Sequence, residues 1–222
     1  MHRPLITMLG AILVMCMFTV DAATLSLDCP LSMDEREEQT RIRKRATAIA
    51  ERTSKHMLQV TVNGNVLRFI DKPPYDEPEG SRYRFCDRKD GHILILAHVD
   101  DVITGKLIHE ASGAMTPGGE SVIFSADKRS YFTSEQPNGL DGNVWNLYRT
   151  DGSRIWTGFS FIARKTDPDA ISAFLAKPKW DANGMLVAQA SCLARPDTTW
   201  KVKLMNTAGN WNWSPKRTCP KK

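Results

Sequence analysis

Residues 58–70 read Leu-Gln-Val-Thr-Val-Asn-Gly-Asn-Val-Leu-Arg-Phe-Ile. Two apolar and β-branched runs flank Asn63-Gly64, a dipeptide that tolerates the positive φ a type I′ turn needs at both central positions. Leu58, Val60 and Val62 alternate with Gln59 and Thr61, a period of two that turns one face inward. The stretch is predicted to be an antiparallel hairpin.

Similar runs continue toward the C-terminus. Strands are expected at about 83–86, 92–99, 106–111, 121–125, 130–134, 144–149, 154–161, 185–190, 199–205 and 210–213, separated by short turns such as Lys89-Asp90-Gly91. Residues 117–119, Pro-Gly-Gly, read as a loop, and 169–175 as a short helix. The acidic, proline-rich segment 71–80 cannot be a central strand. Ser125-Ala126-Asp127-Lys128-Arg129 resembles the S-x-D-x-x turn of β-propeller blades, and Leu147-x4-Gly152-x3-Trp156 recurs as Leu204-x4-Gly209-x3-Trp213. The expected fold is mainly β, an antiparallel hairpin meander forming a sandwich, partial barrel or propeller-like array. One N-terminal surface helix and disulfides complete it.

That helix is expected over 32–55. Ser32 and Glu35 form a capping box. Asp34, Glu35, Glu37 and Glu38 crowd its first turns, and Arg43, Lys44, Arg45, Arg52 and Lys55 follow, an order that complements the helix dipole. Its apolar stripe, Ile42, Ala46, Ile49 and Thr53, is thin. Ahead of it, Arg3, an apolar run over 5–20 and Val20-Asp21-Ala22 read as a signal peptide cut after Ala22. The expected organisation is a signal peptide (1–22), an N-terminal segment with the polar helix (23–56) and a single β-rich domain (57–222), in the periplasm or outside the cell.

Cleavage removes Cys16 and leaves Cys29, Cys86, Cys192 and Cys219, an even number suited to an oxidising compartment. Three pairings are open; Cys29–Cys86 with Cys192–Cys219 is favoured because each bond closes one end of the chain. No C-x-x-C occurs, which argues against zinc and thioredoxin-like chemistry. Cleavage removes Arg3 and Asp21 together, so the net charge stays at +5. With 41% apolar residues, disorder, collagen and a multispan membrane protein are excluded, and no later stretch approaches spanning length.

Function is read from what the motifs permit. There is no G-x-S-x-G, H-E-x-x-H, P-loop or Rossmann fingerprint. His98, Asp100, Asp101 and His109 form the densest polar cluster, and a hairpin between their strands would bring His98 close to His109. Asn138 to Asn143 reads as a turn rather than a calcium loop. All six tryptophans follow residue 144. Hairpin register puts Leu147 opposite Trp156 and Leu204 opposite Trp213, so the tryptophans read first as core. Trp180, Trp211 and Trp213 remain candidates for stacking on sugar rings. A pI near 9 and the basic run 41–45 are weak grounds for nucleic acid, which is not expected as a partner. No metal or cofactor is expected. The reading is an exported, non-catalytic module that binds another exported or envelope protein, as an inhibitor or immunity-type protein does. An envelope-glycan-binding module, or a hydrolase using His98, Asp100 or His109, is the alternative. Residues 71–80, 115–120 and 136–143 are the expected contact loops.

Overall fold

The chain runs β1 (Ser26–Asp28), α1 (Glu35–Arg45), β2 (Ala50–Ser54), β3 (Met57–Val62), β4 (Asn65–Ile70), β5 (Ser81–Lys89), β6 (His92–Val99), β7 (Val102–His109) and β8 (Met115–Gly118). It continues as β9 (Ser121–Phe124), β10 (Ser130–Glu135), β11 (Val144–Arg149), β12 (Arg154–Phe159), β13 (Phe161–Arg164), β14 (Asp167–Trp180), β15 (Leu186–Cys192), β16 (Thr199–Thr207) and β17 (Asn210–Ser214). These elements come from a computed structural model that describes residues 24–30, 34–75, 79–99, 102–136, 142–164, 167–217 and 219. The strands form four antiparallel sheets: β2-β3-β4, β5-β6-β7-β8, β1-β9-β10-β11-β12 and β13-β14-β15-β16-β17. The founding hairpin is present, with Leu58 opposite Phe69 and Val60 opposite Leu67. Asn63 and Gly64 take φ of 48° and 73°, the left-handed values its turn requires.

The four sheets pack in succession through three apolar cores. The first core joins α1 and the first sheet to the second sheet, through Ile42, Leu58, Val60, Phe85, Ile93 and Ile95. The second core lies between the second and third sheets and contains Leu27, Leu94, Leu96, Phe124, Tyr131 and Tyr148. The third core, between the third and fourth sheets, gathers Phe132, Trp145, Val202, Leu204 and Trp213. Strand β6 explains why 92–99 is apolar almost throughout: Ile93 and Ile95 face one core, Leu94 and Leu96 the other. Each such side chain contributes about 1.5–3 kcal/mol on burial. The third sheet is likewise shared, with Phe132 and Trp145 on one face and Tyr131 and Tyr148 on the other.

Two disulfides tie the layers. Cys29, just past β1, bonds to Cys86 in β5, joining the third sheet to the second across 57 residues. Cys192 at the end of β15 bonds to Cys219 across 27 residues. The crossing from β8 to the third sheet depends on close backbone approach. A Cβ on Gly119 would overlap the Ser134 carbonyl, and one on Gly105 would overlap Gly119.

Three expectations are corrected. The helix is shorter than 32–55: it is capped by Asp34, whose carboxylate accepts the Arg36 N–H, and it ends at Arg45, with Ala46 as its C-cap. Ser32 lies outside the described residues, and 50–54 is strand β2, which pairs with β3. The helix expected at 169–175 is part of the long strand β14, because Ala173 and Leu175 alternate into the third core. Pro117 and Gly118 belong to strand β8, which pairs with β7, rather than to a loop.

Candidate functional site

A cleft of about 330 Å³ opens beside α1, lined by Glu35, Glu38, Arg52, Lys55, Asp71 and Arg82 among others. Its floor is charged and buried. Glu38, Ile42 and Ala46 recur every four residues, so Glu38 shares the helix face that enters the core and is 1% exposed. Its carboxylate accepts the Phe85 N–H at 2.7 Å and the Arg52 guanidinium at 3.0 and 3.3 Å. Asp71, 4% exposed, follows β4 directly. It accepts the Tyr83 N–H and an Arg52 N–H, both at 2.8 Å. Arg52 also donates to the Tyr83 carbonyl. One guanidinium therefore bridges two buried carboxylates from two elements, and all three side chains bond to the edge strand β5.

The electrostatics follow from this packing. Burial pulls the Arg52 pKa down, but Glu38 and Asp71 outweigh it and hold the guanidinium above its usual value. Arg84 next door is lowered by burial and then by the neighbouring Arg82 charge. Above the floor, the Tyr75 hydroxyl lies 3.0 Å from His56 Nδ1. The Arg82 guanidinium sits 5.2 Å from the Tyr75 ring centre, a cation–π contact. Arg82 also pairs with Glu35 at 3.3 Å. Burial, then Asp71, raises the Tyr75 phenol.

The arrangement acts as a clamp. Acid or base catalysis requires a carboxylate that can reach a substrate. Glu38 and Asp71 are 1% and 4% exposed and engage Arg52 and backbone amides. What they fix is the base of the segment 71–80, where Lys72 and Ser81 form a bridging β pair. A second hollow of about 390 Å³ borders the same segment, lined by Ile70, Lys72, Glu79, Ser81, Tyr83 and Val99. The segment is thus held at its base by buried charge and at Tyr75 by His56 and Arg82.

Of the predicted polar cluster, His98 and His109 are not brought together. His98 stands opposite Ile103, whereas His109 stands opposite His92, so the two histidines occupy opposite ends of the β6–β7 hairpin. Six residues of strand separate them, about 20 Å. Asp100 and Asp101 lie outside the described residues. His109 instead meets His92, ring centres 5.1 Å apart, while His92 packs 4.6 Å from Phe124. Burial lowers the His92 pKa. Among the described residues no group of three or more His, Cys, Asp or Glu side chains could hold a metal.

The three candidate sugar-stacking tryptophans all lie against the third core. Trp213 is 7% exposed, edge-on to Trp145 at 5.8 Å and to Trp156 at 5.9 Å. Trp180 donates its indole N–H to the Ile123 carbonyl at 2.9 Å. Trp211 is half-buried on the same core. Of the expected contact loops, 71–80 is described except 76–78, residues 115–118 are strand β8, and 137–141 lie outside the described residues. The sequence reading missed Arg52, Asp71, Tyr75 and Arg82 as parts of one site, since no local motif links them. The four-residue spacing of Glu38 from Ile42 was the available signal. The chain matches no protein-family profile, no curated protein and no solved structure.

Proposed function

We propose that this chain is an exported, non-catalytic module that binds another protein, and that the clamped segment 71–80 with the rim of the adjoining cleft is its recognition surface. The observation that carries the reading is the Glu38–Arg52–Asp71 bridge, which ties Asp71, at the base of that segment, to α1 and β2. A loop anchored at its base loses less conformational entropy on binding than an untethered one, so more of its contact energy appears as affinity. Tyr75 and Arg82 supply residue types suited to it: an amphipathic ring and a fork of donors. Two disulfides and the apolar stretch with Ala22 before the cut are compatible with export into an oxidising compartment.

The test is affinity capture from an envelope extract at low salt, using the chain from Ala23 and its Tyr75→Ala variant. A protein retained by the first and lost by the second supports the proposal. Retention of nothing, or equal retention by both, refutes it.

A further inference from the structure

A different surface carries a second inference, independent of the clamp. Residues 160–222 hold eleven of the thirty basic side chains but only four of the twenty-five acidic ones, a net +7 against −2 for the rest. Seven of the eleven basic residues and all four acidic ones fall within 161–214, the span of the fourth sheet, a net +3, and the other four basic residues follow β17. Trp200, Val202 and Leu204 point into the third core, so Lys201, Lys203 and Met205 point away from it. Register places Lys179 and Lys203 either side of Val187, and Lys201 beside Gln189. Asp181 offsets part of this charge, pairing with Lys203 at 3.0 Å.

Apolar side chains are exposed in the same region. Of the seven exposed large apolar side chains among the described residues, four are Phe159, Phe174, Leu193 and Met205. Phe161 lies opposite Phe174 on the outer face and stacks on Phe159, ring centres 4.9 Å apart. The face therefore combines a lysine row with protruding aromatic and thioether groups, across five strands or about 20 Å.

We propose that the outer face of the fourth sheet binds an anionic membrane surface. Lysine favours this over an acidic protein: its compact ammonium meets a phosphate as a point charge, and lysine is depleted at protein interfaces, where arginine is enriched. Exposed phenylalanine and methionine can enter the headgroup boundary while the lysines neutralise lipid charge.

The experiment is co-sedimentation of the chain from Ala23, which retains every described residue, with two vesicle types. One is phosphatidylcholine containing about a quarter phosphatidylglycerol, the other phosphatidylcholine alone. Binding to the anionic vesicles is expected, weakening as salt rises. At about fivefold per lysine, the triple variant Lys179→Gln, Lys201→Gln, Lys203→Gln binds them about a hundredfold more weakly. Phe174→Ser loses about tenfold, and arginine at the three lysine positions retains binding. Equal partition onto both vesicle types, or unchanged binding by the triple glutamine variant, overturns the proposal. Tight binding to poly-glutamate without binding to vesicles overturns it in favour of an acidic protein partner.

Discussion

Replacing Arg52 by methionine removes the one cation between two carboxylates that are 1% and 4% exposed. The Arg52 side chain is itself only 13% exposed, so water does not readily replace it. Removing one partner of a buried ion pair typically costs about 3–5 kcal/mol, because the remaining charge stays buried. Both carboxylates keep a backbone N–H, from Phe85 and from Tyr83, and they share one guanidinium. Their losses are therefore not additive, and a total of about 4 kcal/mol is expected. With an m-value of about 2 kcal/mol per molar urea, the midpoint falls by about 2 M. Far-UV circular dichroism follows all four sheets, while tryptophan fluorescence follows the third core, where Trp145, Trp200 and Trp213 are buried. The control is the triple variant Arg52→Met, Glu38→Gln, Asp71→Asn, in which no charge is left unpaired. It should recover at least half of the loss, since a neutral substitute for a buried ion group is far milder than a broken one. A triple variant as unstable as the single one would refute the clamp argument, and so would a single variant within about 0.5 kcal/mol of wild type.

Other predictions follow from separate parts of the fold. Serine at Cys29 and Cys86 releases a 57-residue closure worth about 4 kcal/mol, and serine at Cys192 and Cys219 a 27-residue closure worth about 3.5 kcal/mol; urea midpoints of the two double variants check the ranking. Gly119→Ala drives a Cβ into the Ser134 carbonyl and should cost about 1–3 kcal/mol, seen as a Tm lowered by about 3–10 °C. His92 is held below its usual pKa by burial, so the unfolded imidazole takes up its proton first as pH falls. Its contribution is complete above about pH 6.5 and is lost below it. His92→Phe should narrow the fall in stability between about pH 7.5 and pH 5.5, and an unchanged difference from wild type would contradict the assignment.

Much of the fold was legible because hairpin signals are local. Asn63-Gly64 predicted its turn, and alternation predicted the Leu147–Trp156 and Leu204–Trp213 pairs that the structure contains. Strand β14 was misread because Ile171, Phe174 and Leu175 also satisfy helical spacing, whereas its true alternation is set by packing on a distant sheet. The His98–His109 juxtaposition failed because strand β7 begins at Val102, four residues earlier than expected, which moves the hairpin tip and carries the two rings apart. The clamp was invisible for a different reason. Glu38 and Arg52 read as members of the acid-then-base order that complements the helix dipole, and Asp71 as the start of the acidic, proline-rich segment. Only the packing of α1 across β5 puts them out of water together. In a chain with 25% charged residues, nothing local marks the few that are buried.

The central claim, recognition of another protein through the clamped segment 71–80, is tested most directly by site-specific photocrosslinking in cells that produce the chain. A photoreactive phenylalanine analogue replaces Tyr75, and in a parallel experiment Gln59 on the outer face of the first sheet. The account predicts a discrete protein adduct from position 75 that is missing from position 59. No adduct from position 75, or the same adducts from both positions, would contradict it.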